Sequence, residues 1–340
     1  MACRRRPEKD ATMKKILVIE DEPEMRRNLT IHYKQTKMNN KFRVIATFAL
    51  VAYAYGELAA HVYPFVLLPQ LGVQLRVVLL TSFAVLHSGT NFGWRVAFLM
   101  FFATALITWF FEQVGVTTAA VYGAYHYSGM LGPKLGAVPI LIPLAWFMMI
   151  YPSYLVTSLI LDGQAFPQRT DIQGMCTRAV LAAMVMTAWD AVIDPGMSQA
   201  GFWVWEHGGT YFGVPRQNFA GWLLTTFVVY MAFGLIQRWT KPSLPWTRDW
   251  FTLLPAWAYA VVTLVQVANQ KGGPSSVIAF FAMGSPVLFA LARAKQDLHR
   301  IEDRPEEVRV RSEKVSPSES TQRADSARPN KRPRSAPERG

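Results

Sequence analysis

The sequence predicts an all-α fold, a polytopic membrane bundle of seven or eight transmembrane helices, on three observations. Hydrophobic residues fill 51% of the 340 positions and charged residues only 17%, whereas a soluble domain carries closer to a quarter charged. The charge is also segregated. Between Val44 and Arg293 there are eleven Lys or Arg and eight Asp or Glu, so that stretch carries +3 of the formal +12 and the two ends carry +9. The same stretch breaks into apolar runs near the roughly 20 residues that a spanning helix needs.

In chain order the candidate spans are 43–63, 71–87, 94–111, 135–161, 176–193, 219–236, 250–267 and 275–292. Some are short enough to tilt or re-enter, hence seven or eight; eight fits the charges better. A cytoplasmic N-terminus puts Lys34, Lys37, Lys41 and Arg43 inside. Eight spans then add Arg95, Arg169, Arg178, Arg238, Lys241 and Arg248 to that side. Only Lys134, Arg216 and Lys271 fall outside, with Arg76 within the second span. That excess is what the positive-inside rule predicts. Trp94, Trp203, Trp205, Trp222, Trp246 and Trp250 fall near span ends, as interfacial belts do.

Three regions follow: a polar extension over 1–42, a transmembrane domain over 43–293 and a charged tail over 294–340. The tail is rich in Arg, Glu, Ser and Pro and is expected to be disordered and cytoplasmic. The opening shows no cleavable signal, so insertion would rely on the first span. Its segment MKKILVIEDEPEMRRNLTIHYK, residues 13–34, resembles the first strand and helix of a response-regulator receiver, with Glu20 and Asp21 at the acidic pair. No later strands, phosphoacceptor Asp or partner Lys follow. The fragment is expected to be non-functional, with Met38 as an alternative start. Cys3 and Cys176 lie in unrelated regions without metal spacing and read as free thiols. The basic ends suit anionic headgroups; nucleic acid is not expected as a partner.

Ionisable groups at membrane depth are costly and usually functional, so the core acids are the candidates for chemistry. Glu57 lies in the first span with His61 one turn later. Glu112 closes the third. Asp190 and Asp194 end the fifth at an i,i+4 spacing that puts both on one face, and Pro195 is expected to mark the helix boundary. With eight spans these four acids fall toward the same, non-cytoplasmic side. Asn218, Asn269 and Gln270 join them, as do loops carrying Tyr122, Tyr125, His126, Tyr127, Trp203, Trp205, Glu206 and Tyr211. Duller readings exist for each: Glu112 as a solvated helix end, the Asp pair bonded to backbone or to Arg178 or Arg216, the Trp and Tyr as anchors. His87, His126 and His207 read as hydrogen-bonded structural histidines, and Met148, Met149, Met184 and Met186 as apolar filling.

No G-x-G-x-x-G follows a strand and no Walker loop occurs, so dinucleotide and ATP sites lack support. Six scattered histidines are too few for a membrane di-iron hydroxylase, and no haem attachment motif exists. No metal site and no cofactor is expected of the core. Buried carboxylates with tyrosines can do acid–base chemistry, hold a diphosphate through Mg²⁺, or conduct ions.

Two blocks carry a more specific likeness. FEQVGVTTAAVYGAYHYSGMLGPKLGAVPILIPLAWFMMIY, residues 111–151, has Glu, then G-x-Y-x-Y, L-G-P, V-P and P-x-x-W. DAVIDPGMSQAGFWVWEHGGTYFGVPRQNFAGW, residues 190–222, has D-x-x-x-D-P, W-x-W and G-x-Y-x-G-x-P-x-x-N-F-x-G-W. Over roughly 43–293 the chain resembles the integral-membrane carotenoid biosynthesis proteins, a family that includes cofactor-independent hydratases of acyclic carotenoid ends and bisanhydrobacterioruberin hydratase. The resemblance implies acid-catalysed addition of water to a terminal alkene through a tertiary carbocation. It implies as partners an acyclic or monocyclic carotenoid, membrane lipid and other enzymes of carotenoid biosynthesis, in the inner (cytoplasmic) membrane. A proton donor must stay neutral, which burial and a second carboxylate both favour, and Asp190 with Asp194 supplies such a pair. Glu112, Asp190, Asp194 and Glu57 are the catalytic candidates, with Asp194 or Glu112 as general acid and the partner carboxylate on water. Tyr122, Tyr125, Trp203 and Tyr211 would hold the cation by their ring faces, and Asn218 would orient water or the second acid.

Two other readings stay open. A Mg²⁺-dependent prenyltransferase would use the D-x-x-x-D spacing, but wants a second acidic cluster and more bases than Arg216 and Lys134. A transporter or carotenoid-binding protein would often show an inverted repeat, and the two blocks are not copies of each other.

Overall fold

The computed structural model describes residues 23–62, 71–166, 171–242, 250–269 and 273–302. Helices dominate: α1 (Pro23–Val62), α2 (Val73–Phe92), α3 (Trp94–Thr118), α4 (Leu141–Asp162), α5 (Ile172–Gln199), α6 (Arg216–Thr240), α7 (Leu254–Asn269, led by a 3₁₀ turn Trp250–Leu253) and α8 (Pro274–Glu302). Eight described helices are long and apolar enough to cross a membrane, which makes the chain an all-α polytopic membrane bundle. Phe48, Leu106, Phe110, Leu264, Phe281 and Leu288 stand exposed on its sides, where only lipid would accept so much apolar surface. Backbone groups at that depth are satisfied inside each helix.

Central and peripheral helices differ in burial and not in hydropathy. The spanning window of α4 is 78% buried, against 28% for those of α3 and α8. A helix facing lipid is as apolar as one surrounded by protein, and the central helix, LIPLAWFMMIYPSYLVTSLILD, carries no charge before its last residue. It ends at Gly163, whose φ of 65° is the left-handed cap that donates its N–H to Leu159 O. Asp171 caps the start of α5 by accepting from the Gly174 N–H at 3.3 Å.

The expected end of the fifth span at Pro195 is overturned: α5 continues through it to Gln199. Proline has no N–H for the carbonyl four residues back, here Ala191. The Tyr211 hydroxyl donates to that carbonyl at 3.0 Å, so the freed acceptor is repaired by a residue outside the helix. Tyr211→Phe is therefore expected to leave it unpaired and cost about 1 kcal/mol or more. A fall in the melting temperature of the purified membrane protein would register it.

Two loops at one end of the bundle form a cap. The strand β1 (Tyr125–Tyr127), from the α3–α4 connection, pairs antiparallel with β4 (Trp203–Trp205), from the α5–α6 connection, with Tyr125 opposite Trp205 and Tyr127 opposite Trp203. The hairpin β2 (Lys134–Leu135) and β3 (Val138–Pro139) completes the first connection. Strand alternation turns Tyr125, Tyr127 and Trp205 inward and leaves His126 and Val204 outside. His126 pairs there with Glu206.

Tyr122 locks the cap to two helices. A Cβ at Gly115 of α3 would lie 2.6 Å from its ring, and one at Gly221 of α6 would lie 2.5 Å away. Only glycine allows that approach from both sides, and the Tyr122 hydroxyl bonds Thr225 of α6 at 2.8 Å. Toward the other end of α4, Asp162 meets Arg178 of α5 at 2.6 Å, both nearly inaccessible. That pairing removes Arg178 as a partner of Asp190 or Asp194. His87 is buried between Tyr151 and the Phe251 carbonyl, a structural histidine as its isolation in the sequence suggested.

These elements belong to the compact unit that ends at Ala292. From Arg293 onward the structure describes only the continuation of α8 to Glu302. The receiver-like strand and most of the expected tail lie outside the described residues. The second half of that fragment, from Pro23, is part of the continuous helix α1.

Candidate active site

Beneath the cap lies a cavity of about 410 Å³, and all four candidate carboxylates, Glu57, Glu112, Asp190 and Asp194, line it. Tyr122, Tyr125, Trp203 and Asn218 line it too. The i,i+4 spacing on α5 does place Asp190 and Asp194 on one inward face. Asn218, in the first turn of α6, bridges them: its Nδ2 donates to Asp190 Oδ2 at 3.0 Å and to Asp194 Oδ2 at 2.7 Å. The other oxygen of Asp194 accepts from the Trp203 indole N–H. Asp190 receives the Asn218 bond alone among the described hydrogen bonds.

Glu112, near the end of α3, has a different environment. Its Oε2 accepts from the hydroxyls of Tyr125 and Tyr127, the latter at 2.7 Å. Its Oε1 accepts from the Trp146 indole at 3.0 Å. Three donors hold it, and among the described residues no cation pairs with it. Glu112, Asp190 and Asp194 are 4%, 1% and 2% exposed, so Glu112 is no solvated helix end. Burial first, and then the Glu112 carboxylate, push the Tyr125 and Tyr127 hydroxyls well above the ordinary phenol range. Both therefore remain donors at any ordinary pH.

Glu57 occupies another part of the wall. It is ion-paired with Arg76 of α2 at 2.8 Å and also bonded to the Tyr53 hydroxyl. The side chain of His61 lies outside the described residues. Tyr211 does not line the cavity; its hydroxyl is committed to Ala191 behind the Asp pair, and its ring edges against Phe212 and Phe219.

The floor is aromatic, and the sequence reading passed over most of it. Trp146 and Trp222 stack with centroids 3.8 Å apart, and Trp189 meets Trp222 edge-on at 6.0 Å. Trp203 and Trp205, expected both near span ends and among the converging loops, line the cavity, and so does Trp222, which position alone grouped with the interfacial belt. One signal was present: Trp222 follows Asn218 by four residues and so shares its helix face. Tyr127, which the sequence places among the converging loop residues without a role, lies on the inward register of β1 and lines the cavity.

A family model described as carotenoid biosynthesis protein matches residues 72–285, well over half of the chain. The chain is also 36% identical, over 140 residues, to bisanhydrobacterioruberin hydratase of Haloarcula japonica. That alignment covers 41% of this chain and 45% of the relative, so the chain spans about half of the relative's length. No solved structure matches. The matched region runs from just before α2 into α8 and takes in the cap, Glu112, the Asp pair and Asn218. The chain therefore belongs to the carotenoid biosynthesis protein family.

Proposed function

We propose that the protein adds water to the terminal trisubstituted double bond of an acyclic carotenoid end group. The observation that carries this reading is the convergence of Glu112, Asp190 and Asp194 in one aromatic-walled cavity. The relative's name, a hydratase, supports a water-adding reaction.

Uncatalysed hydration is slow because a hydrocarbon must become a cation. The cavity answers this with groups of opposite character. Asp190 has the least hydrogen-bond support for a negative charge, which suits it to hold and donate the proton. This differs from the choice of Asp194 or Glu112 made from sequence. The alkene π pair takes that proton at the less substituted carbon, and a tertiary cation forms at its neighbour. Glu112, held by three donors, supplies fixed negative potential, and the faces of Trp146, Trp222 and Tyr122 supply more. Asp194, fixed by Asn218 and Trp203, orients water and takes one of its protons as the water lone pair forms the C–O bond. The proton returns to the Asp190–Asp194 pair, leaving a tertiary alcohol and no net proton consumed. Glu57, compensated by Arg76, is given no step.

A cavity of about 410 Å³ fits an end group and part of its chain, and pockets of this size bury most of a small ligand. The rest of the polyene would lie among the helices or in the bilayer. Following the charge distribution, both termini face the cytoplasm and the cap faces the opposite side of the cytoplasmic membrane.

Expression of the full chain in a lycopene-accumulating bacterium tests the reading. The expected result is a pigment heavier by one water, with its oxygen drawn from H₂¹⁸O and not from O₂. Failure to convert lycopene, monocyclic carotenes with one acyclic end and C50 acyclic precursors, with the protein inserted in the membrane, would overturn it.

A further inference from the structure

Hydration consumes one water per turnover, and the proton cycles internally. A site at membrane depth therefore needs a supply of water, and water in a protein follows polar side chains where its hydrogen bonds are replaced. Outside the carboxylate cluster the cavity wall carries three amides at the ends of α5 and α7, two helices in contact. Gln199 is the last residue of α5, and Gln266 and Asn269 lie at the end of α7. Val262, Gln266 and Asn269 all line the cavity, so the polar pair sits on the inward stripe of α7 and not on its lipid face. Gln199 and Asn269 are exposed and Gln266 is half-buried, which marks this edge as the open end. The Glu57–Arg76 pair lines the cavity from α1 and α2, and α1 packs on α7. The floor offers no such path: Trp146, Met149 and Trp189 are buried.

We infer that the edge formed by Gln199, Gln266 and Asn269 is the water inlet. This rests on the hydration reading above. The inlet sets how fast water meets the cation, and the cation has an alternative fate. If capture is slow, a C–H bond of an adjacent methyl breaks and its electron pair forms a new C=C. The proton returns to the carboxylate, and the product is an isomeric alkene of unchanged mass.

The test replaces Gln199 and Gln266 by leucine, singly and together, in the full chain. Alcohol and isomeric alkene are then quantified per folded protein. In the double variant the ratio of isomer to alcohol is expected to rise about tenfold, the isomer gaining what the alcohol loses. Gln266→Asn, which keeps an amide, is expected to restore the alcohol toward the parent level. Alcohol and isomer falling together, alcohol falling with no isomer, or no change in either would each overturn the inlet. A parent protein that makes neither product overturns the hydration reading itself. Membrane insertion and melting temperature identify a variant that has failed to fold, and the single variants then carry the decision.

Discussion

Asp190→Asn is expected to remove turnover by about 10²–10⁴-fold, the usual worth of a positioned general acid, while leaving the bundle intact. The substitution is nearly isosteric and keeps an oxygen to accept from Asn218 Nδ2, now at 3.0 Å. Nothing else in the described hydrogen bonds depends on the Asp190 carboxyl. Protein amount and melting temperature should therefore stay near the parent values while the hydrated pigment disappears. A loss below about tenfold in a folded protein would move the acid role to another carboxyl. Asp194→Asn separates the roles further. It should slow alcohol formation, yet still allow the cation to form and lose a proton as isomeric alkene.

Glu112→Leu is expected to abolish activity and also to destabilise the protein, and the second effect distinguishes it from Asp190→Asn. Leucine leaves the hydroxyls of Tyr125 and Tyr127 and the indole of Trp146 without their acceptor. Each orphaned buried donor costs about 1–3 kcal/mol, so the sum is at least about 3 kcal/mol. The two tyrosines are the inward anchors of β1, so the cap should loosen first, seen as faster proteolysis of the α3–α4 connection. Tyr127→Phe in the Glu112→Leu background should recover part of the loss, because the orphaned hydroxyl is then gone. A Glu112→Leu protein as stable as the parent would contradict this account of the cap.

Much of the architecture was legible before any coordinates. Eight spans were readable because membrane insertion depends on local apolar content, a property of twenty consecutive residues. Counting those spans placed Glu57, Glu112 and the Asp pair toward one end, and helical spacing put Asp190 and Asp194 on one face. The convergence of the two loops was readable in the same way, though not the pairing that sets Tyr125 against Trp205.

What failed was each inference that needed a partner. Pro195 reads as a helix end because proline removes a donor, yet α5 runs on because Tyr211 replaces it from the next connection. Glu57 reads as a lone acid at depth, yet Arg76 of the neighbouring helix pairs with it. Trp222 reads as an anchor near a span end, yet it stacks on Trp146 of a different helix.

The sequence by itself therefore determined the placement of the spans along the chain, their number to within one, the end of the bundle that carries the acids, and the family. The tertiary structure decided which acid is compensated, which is saturated with donors and which is left with one. Hydropathy and helical phase are carried by neighbours along the chain. The state of a carboxylate depends on the donors around it, and here those come from α6 and the α5–α6 connection for the Asp pair, and from the α3–α4 connection and α4 for Glu112.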